Sequence, residues 1–134
     1  QQVILDLGVV KDSAHVSING KAVGTAWIAP FTLDVTEYLK QGKNSIKVEV
    51  ANAWTNRLIS DESLPDHSEF WQSNGEHVSV MPEWYTQNKP LPHSGEKGKR
   101  ITFTTYKFVK KDDPFIDSGL LGPVMLKAIN STDL

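Results

Sequence analysis

His15-Val16-Ser17-Ile18-Asn19-Gly20-Lys21-Ala22-Val23-Gly24 is the stretch that decides the fold class. Polar and apolar residues alternate up to Asn19-Gly20, the dipeptide best suited to the two positive-φ positions of a type I′ turn, and the chain then returns. A tight antiparallel hairpin is therefore expected. On its N-terminal side, Val3, Leu5, Leu7 and Val9 recur at period two, as a strand with one buried face requires. On its C-terminal side, Ser45 to Asn52 alternates again, with Ile46, Val48 and Val50 facing inward and Lys47 and Glu49 facing outward. Between them, Thr36 to Gly42 fits one or two helical turns, with Thr36 as the cap, Lys40 at the C-terminal end and Gly42 as a left-handed exit.

Beyond Ser60 the periodicity stops until Arg100, and prolines at 65, 82, 90 and 92 with glycines at 75, 95 and 98 break any long element. Irregular stretches longer than about 12–15 residues tend to be functional or to hide short strands, and His77-Val78-Ser79-Val80-Met81 is a candidate strand. Regular pattern resumes at Ile101 to Val109, rich in β-branched and aromatic residues, and at Val124 to Ile129. Both are read as strands. Short strands, one tight hairpin and almost no helical periodicity predict an all-β, mostly antiparallel sandwich, as one domain over residues 1–134.

Composition narrows the function classes. Apolar residues make up 39% and charged residues 22%, which suits an ordinary globular domain. The net charge of -2 and the absence of a basic stripe argue against nucleic acid as a partner, and Lys97, Lys99, Arg100, Lys110 and Lys111 read as solvated surface charge. With no cysteine there is no disulfide, thiolate nucleophile or cysteine-ligated metal. No stretch approaches the ~18 apolar residues of a membrane-spanning helix, so no membrane partner is expected. The first residue is Gln1, which reads as an excised or processed piece.

Two blocks of sequence carry a family resemblance. Leu5-Asp6-Leu7-Gly8, Ala14, Val16, Ile18-Asn19-Gly20, Val23-Gly24, Trp27, Pro30-Phe31, Asp34-Val35-Thr36, Leu39-Lys40, Gly42, Asn44, Ile46 and Val48 form the first. In order and spacing it resembles the galactose-binding-like, sugar-binding domains of glycoside hydrolases, family 2 among them. The second comprises Ala51 to Glu62, Pro82-Glu83-Trp84, Lys89-Pro90, Thr102 to Tyr106 and Ser118 to Val124. It resembles the C-terminal sandwich domain of family 106 glycoside hydrolases, whose characterised members are α-L-rhamnosidases. Ser60 stands where that pattern expects glycine. The resemblance implies a jelly-roll fold and an accessory domain of an exported polysaccharide-degrading enzyme. That domain's partner would be the parent's catalytic domain, whose barrel is not within these residues.

Candidate chemistry agrees with a part that does not catalyse. Glycoside hydrolysis needs two carboxyls about 5–5.5 or 6.5–9.5 Å apart across the bond. Asp61-Glu62, read as neighbours on extended chain, point to opposite faces, and Arg57 is the simpler ion-pair partner. His67-x-Glu69 and Glu76-His77 lack a third ligand at a recognisable spacing, so neither a catalytic nor a metal-ligating residue is assigned. No cofactor is expected, although a structural calcium, whose sequence signature is diffuse, stays open.

Tryptophan offers a different chemistry, since sugar rings dock their apolar faces on aromatic planes while amides and guanidinium groups bind their hydroxyls. Trp54 beside Asn52, Asn56 and Arg57 has that mixture, and Trp84-Tyr85 lies with Trp71 in the irregular stretch, where exposure is expected. These six, Trp54, Asn52, Asn56, Arg57, Trp84 and Tyr85, are the candidates for sugar binding or domain docking. The alternative is that Trp27 and Trp54 pack in the core or at a sheet edge. An autonomous carbohydrate-binding module recognising a plant-type glycan or terminal sugar is the second functional reading.

Overall fold

The computed structural model describes residues 1–64, 80–92, 96–106 and 108–130. The backbone gathers into two compact units, the first formed by Gln1–Ala53 with Asp117–Leu134 and the second by Trp54–Ile116. Among the described residues, the first carries all eight strands: β1 (Gln2–Asp6), β2 (Val9–Lys11), β3 (Ser13–Ile18), β4 (Lys21–Ala26), β5 (Thr32–Asp34), β6 (Ile46–Ala51), β7 (Gly119–Gly122) and β8 (Met125–Ile129). They form sheets in the orders β5-β1-β8, β2-β7 and β4-β3-β6, with every strand pair antiparallel. The all-β sandwich read from the sequence is the observed class.

The core follows from period two. β3 turns Ala14, Val16 and Ile18 inward, β1 contributes Leu5, and Leu7, Val10, Ala26 and Val35 complete the buried cluster. Val3, Phe31, Leu33, Val48 and Val50 pack against it half-buried. Full burial of such side chains stabilises by about 1.5–3 kcal/mol each, which makes this cluster the main force holding the first unit. The hairpin turns at Asn19 (φ 52) and Gly20 (φ 81), as its dipeptide predicts. The Asn19 amide also reaches past the turn, donating to Tyr38 O and Asn44 Oδ1, while its Oδ1 accepts from Ser45 N.

Strand one departs from its expected register. A single strand would bury Val9, but β1 ends at Asp6, and Gly8 at φ +65 re-aims the chain. Val10 is therefore buried and Val9 exposed. The Thr36 turn also differs: Thr36–Tyr38 is a single 3₁₀ turn that ends before Lys40, and no side chain caps it from the expected position. Instead Asp34 Oδ1 accepts from both Thr36 N and Thr36 Oγ1, and Thr36 Oγ1 accepts from Val3 N. Gly42 does adopt a left-handed φ of 84, but in the loop beyond.

Three carboxyls of this unit, Asp6, Asp34 and Glu49, are held below the usual carboxylate range, Glu49 by the Lys47 ammonium at 2.9 Å on the exposed face of β6. For Asp6 the main cause is the Lys127 ammonium donating to Oδ2, with the Gly8 N–H on Oδ1. For Asp34 it is the Thr36 hydroxyl, then the Gln2 amide and the Thr36 N–H. A carboxyl whose folded pKa is depressed contributes stability that is fully present above its unfolded value, near ~3.9, and lost as pH falls through the folded value. The denaturation midpoint is thus expected to hold near neutrality and to fall below about pH 4. The double variant Asp6→Asn with Asp34→Asn should flatten that acid limb, and a limb as steep as in the parent would place the dependence on other groups.

The second unit is built on two short helices, α1 (Thr55–Asp61) and α2 (Glu83–Thr86). α1 replaces the extended chain expected around Asp61-Glu62, and Ser60 is an ordinary helical residue. The helix turns Ile59 and Asp61 inward. α2 starts after Pro82, whose missing N–H costs nothing at a helix entrance, and Asn88 at φ 52 turns the chain out of it. Among the described residues, no named strand covers 101–109, contrary to the reading of that stretch. The reason is visible in its hydrogen bonds: Ile101 N and Thr102 N donate to the Asp61 carboxylate rather than to a neighbouring strand. Of the expected strand His77–Met81, residues 77–79 lie outside the described residues, and Val80 and Met81 are in no strand.

Candidate functional site

α1 organises the second unit around one buried carboxylate. Asp61 is wholly buried, and its Oδ2 accepts from Ile101 N at 2.9 Å, Thr102 N at 3.0 Å and Thr102 Oγ1 at 2.9 Å. Its Oδ1 faces the Arg57 guanidinium at 2.9 Å, one helical turn away, so the expected Arg57–Asp61 pair is present. Arg100 is buried rather than solvated, and donates to Asp61 O at 3.1 Å and Glu62 Oε1 at 2.5 Å. A carboxylate closed in this way cannot reach a glycosidic oxygen, so Asp61-Glu62 acts as a clamp between α1 and residues 100–102.

The sequence candidates fare unequally as a group. Asn56 is bound by both ends of its amide to Ile116, donating to its O at 2.8 Å and accepting from its N at 2.9 Å. Arg57 is taken up by Asp61 and, at 3.5 Å, by Lys99 O. Asn52 is exposed in the first unit, just after β6. Trp54 opens α1, where its C=O accepts from Leu58 N, and its side chain is 60% exposed. Trp27 is 71% exposed, so neither tryptophan is a core residue.

Trp84 and Tyr85 on α2 belong to an aromatic cluster with Phe103. The Trp84 ring meets Phe103 edge to face at 5.2 Å and Tyr85 at 5.9 Å, a T-shaped geometry that aromatic quadrupoles favour. Beside it, Val80, Met81, Pro82, Glu83, Trp84, Lys89 and Pro92 line an open groove of about 470 Å³. An aromatic wall, apolar flanks and one charge of each sign make the groove chemically suited to a sugar ring. Trp71, His67, Glu69 and Glu76 lie outside the described residues. Among the described residues, no group of three or more acidic or histidine side chains is placed to hold a metal ion. Nor is any described helix long and apolar enough to cross a membrane.

Sequence reasoning missed two working elements. The pair of Asp61 with Arg57 was legible, but its clamp on Ile101 and Thr102 was hidden because those partners lie about 40 residues away. Arg100 was hidden because it follows two lysines in a charged run.

No family model matches the chain. It is 44% identical over 125 residues to a protein of Formosa agariphila named as a beta-glucuronidase, covering 93% of this chain and 10% of that protein. It is 32% identical over 95 residues to a beta-galactosidase of Priestia megaterium, covering 69% of this chain and 8% of the relative. Among solved structures it resembles a rhamnosidase from Novosphingobium sp. PP1Y, with a TM-score of 0.64 and 35% identity over 93% of this chain and 9% of that one. The chain thus spans about a tenth of the length of the relatives it matches. What it resembles is a small part of glycosidases, as the two sequence blocks imply.

Proposed function

We propose that this chain is a non-catalytic accessory domain of a larger glycoside hydrolase, which works packed against the catalytic part of the same polypeptide. The observation that carries the reading is that 69–93% of the chain matches only about a tenth of each of three glycosidases differing in named substrate. A part shared among such enzymes supports their architecture more readily than it selects their bond. The closure of Asp61 and Glu62 by hydrogen bonds and ion pairs agrees with this. A parent that degrades polysaccharide would be exported, and an α-L-rhamnosidase-like parent is the specificity we favour. The purified chain is expected to release no nitrophenol from aryl rhamnosides, galactosides or glucuronides. Turnover that persists through repurification would overturn the reading.

The Trp84 groove favours one second reading, a carbohydrate-binding module. In that case Trp84 would stack on the sugar face, with Glu83 and Lys89 engaging its hydroxyls. The same preparation, titrated with L-rhamnose, galactose and glucuronate and followed by two-dimensional NMR, separates the two. Shifts confined to residues 80–92 would establish the module, and a silent titration of the folded chain would leave docking as its role.

A further inference from the structure

The segment 118–130, Ser-Gly-Leu-Leu-Gly-Pro-Val-Met-Leu-Lys-Ala-Ile-Asn, carries β7 and β8 and a single charged residue, Lys127. That charge is answered within the sandwich, where Lys127 Nζ lies 2.5 Å from Asp6 Oδ2. Every residue of β8 is exposed. In the antiparallel register Leu126 stands opposite Leu5 and Ala128 opposite Val3. Partners across a strand pair share a face, so Leu126 lies on the side the core uses. Leu5 is nevertheless fully buried, whereas Leu126 is 51% exposed. On the other face Met125 and Ile129 are exposed as well, and Leu121 and Val124 extend the apolar surface toward β7. β8 is also the end strand of its sheet.

An end strand that exposes apolar side chains on both faces, its one charge Lys127 paired to Asp6, is what soluble proteins avoid leaving open, because it invites unwanted pairing. We infer that β8, with Leu121 and Val124, is the surface through which this domain docks onto another part of the same glycosidase polypeptide, against an apolar, uncharged face. The inference rests on the accessory-domain reading. Two observations select this occupant. In the relatives, nine-tenths of the polypeptide lies outside the matching part, so a partner in the same chain is present at high effective concentration. With Lys127 already paired to Asp6, the surface has no free charge that would call for a charged partner.

The chain's two methionines provide the test. Met81 and Met125 lie in different units and are similarly exposed, at 37% and 43%. Peroxide oxidation, read by peptide mass spectrometry, is compared between this chain alone and the full-length polypeptide that carries it. Met125 oxidation should slow by about tenfold in the longer protein while Met81 serves as the reference, because sulfoxide formation follows exposure. Equal Met125 rates in the two proteins would overturn the inference. If the domain's melting transition then still merged with that of the remainder, docking would occur by another face and the accessory reading would stand. Equal rates with an independent transition would defeat both. Protection of Met125 in the isolated chain, together with sedimentation as a dimer, would make a second copy the occupant and also overturn the inference.

Discussion

Asp61→Ala is expected to destabilise the second unit by about 3–5 kcal/mol, a large share of the ~5–15 kcal/mol that holds a typical domain. Two effects compete to cause this loss. The ion pair with Arg57 involves a guanidinium that is 43% exposed, and pairs open to water contribute at most about 1 kcal/mol. The larger effect is the loss of the acceptor for Ile101 N, Thr102 N and Thr102 Oγ1, since a buried donor without a partner costs roughly 1–3 kcal/mol. The donors should therefore decide the outcome. Asp61→Asn keeps an oxygen for them and should cost about half as much, and Arg57→Ala should cost about 1 kcal/mol. Urea unfolding, with hydrogen exchange at residues 101 and 102, separates these cases. If Arg57→Ala matched Asp61→Ala, the ion pair rather than the orphaned donors would be the main term.

The second large effect is expected at Gly8. Its φ of +65 already disfavours any side chain by about 1–2 kcal/mol. A Cβ there would also lie 2.4 Å from Gly122 C and 2.5 Å from Gly122 O, and these are main-chain atoms that no rotamer can move. Forcing such an approach costs roughly a further 1–3 kcal/mol, so Gly8→Ala should lose about 3–5 kcal/mol of the first unit's stability. Gly20→Ala is the control. Its φ of +81 carries a similar backbone penalty, but nothing lies within 4 Å of the added methyl. It should lose only about 1–2 kcal/mol. Equal midpoints for the two variants in chemical denaturation would show that β2 and β7 part easily at Gly8.

Where local pattern and burial agree, the fold was legible in the sequence. Ala14, Val16 and Ile18 alternate inward as β3 because one face of their sheet meets the core, and Asn19-Gly20 turns where its backbone preferences require. The phase slip after Leu7 was not legible. A glycine in a strand pattern does not reveal whether the chain runs straight or kinks against another glycine more than a hundred residues away. α1 was missed because Thr55, Asn56, Ser60 and Asp61 are weak helix formers at its two ends, and its helix is supported by Asn56 on Ile116 and Asp61 on residues 101 and 102. The same carboxylate explains why Ile101 and Thr102, β-rich by composition, join no named strand: β-propensity describes a side chain's fit to a sheet, and here their backbone donors are already taken.

The candidate site divides along similar lines. Tyr85 is exposed, as expected in the irregular stretch, Trp84 is half-buried, and Trp54, open to a core or sheet-edge reading, is exposed; the Trp84 groove lies where the irregular stretch pointed. Asn56 and Arg57, chosen as sugar donors because they flank Trp54, are instead held by the protein's own backbone and by Asp61. Adjacency in sequence could not show this, because their partners lie 60 and 42 residues away or across a helical turn. The β8 surface was equally hidden, since Val124 to Ile129 reads only as a strand, and the three-dimensional sheet order is needed to place it at the end of its sheet with every residue exposed.

Calorimetry decides whether this domain, as proposed, works packed onto the rest of a glycosidase. The 134-residue chain and the full-length polypeptide that carries it would be unfolded under identical conditions. The expected result is that the domain's transition shifts upward in the longer protein and merges with that of the catalytic part. A domain transition at the same temperature in both, resolved from the remainder, would contradict the claim.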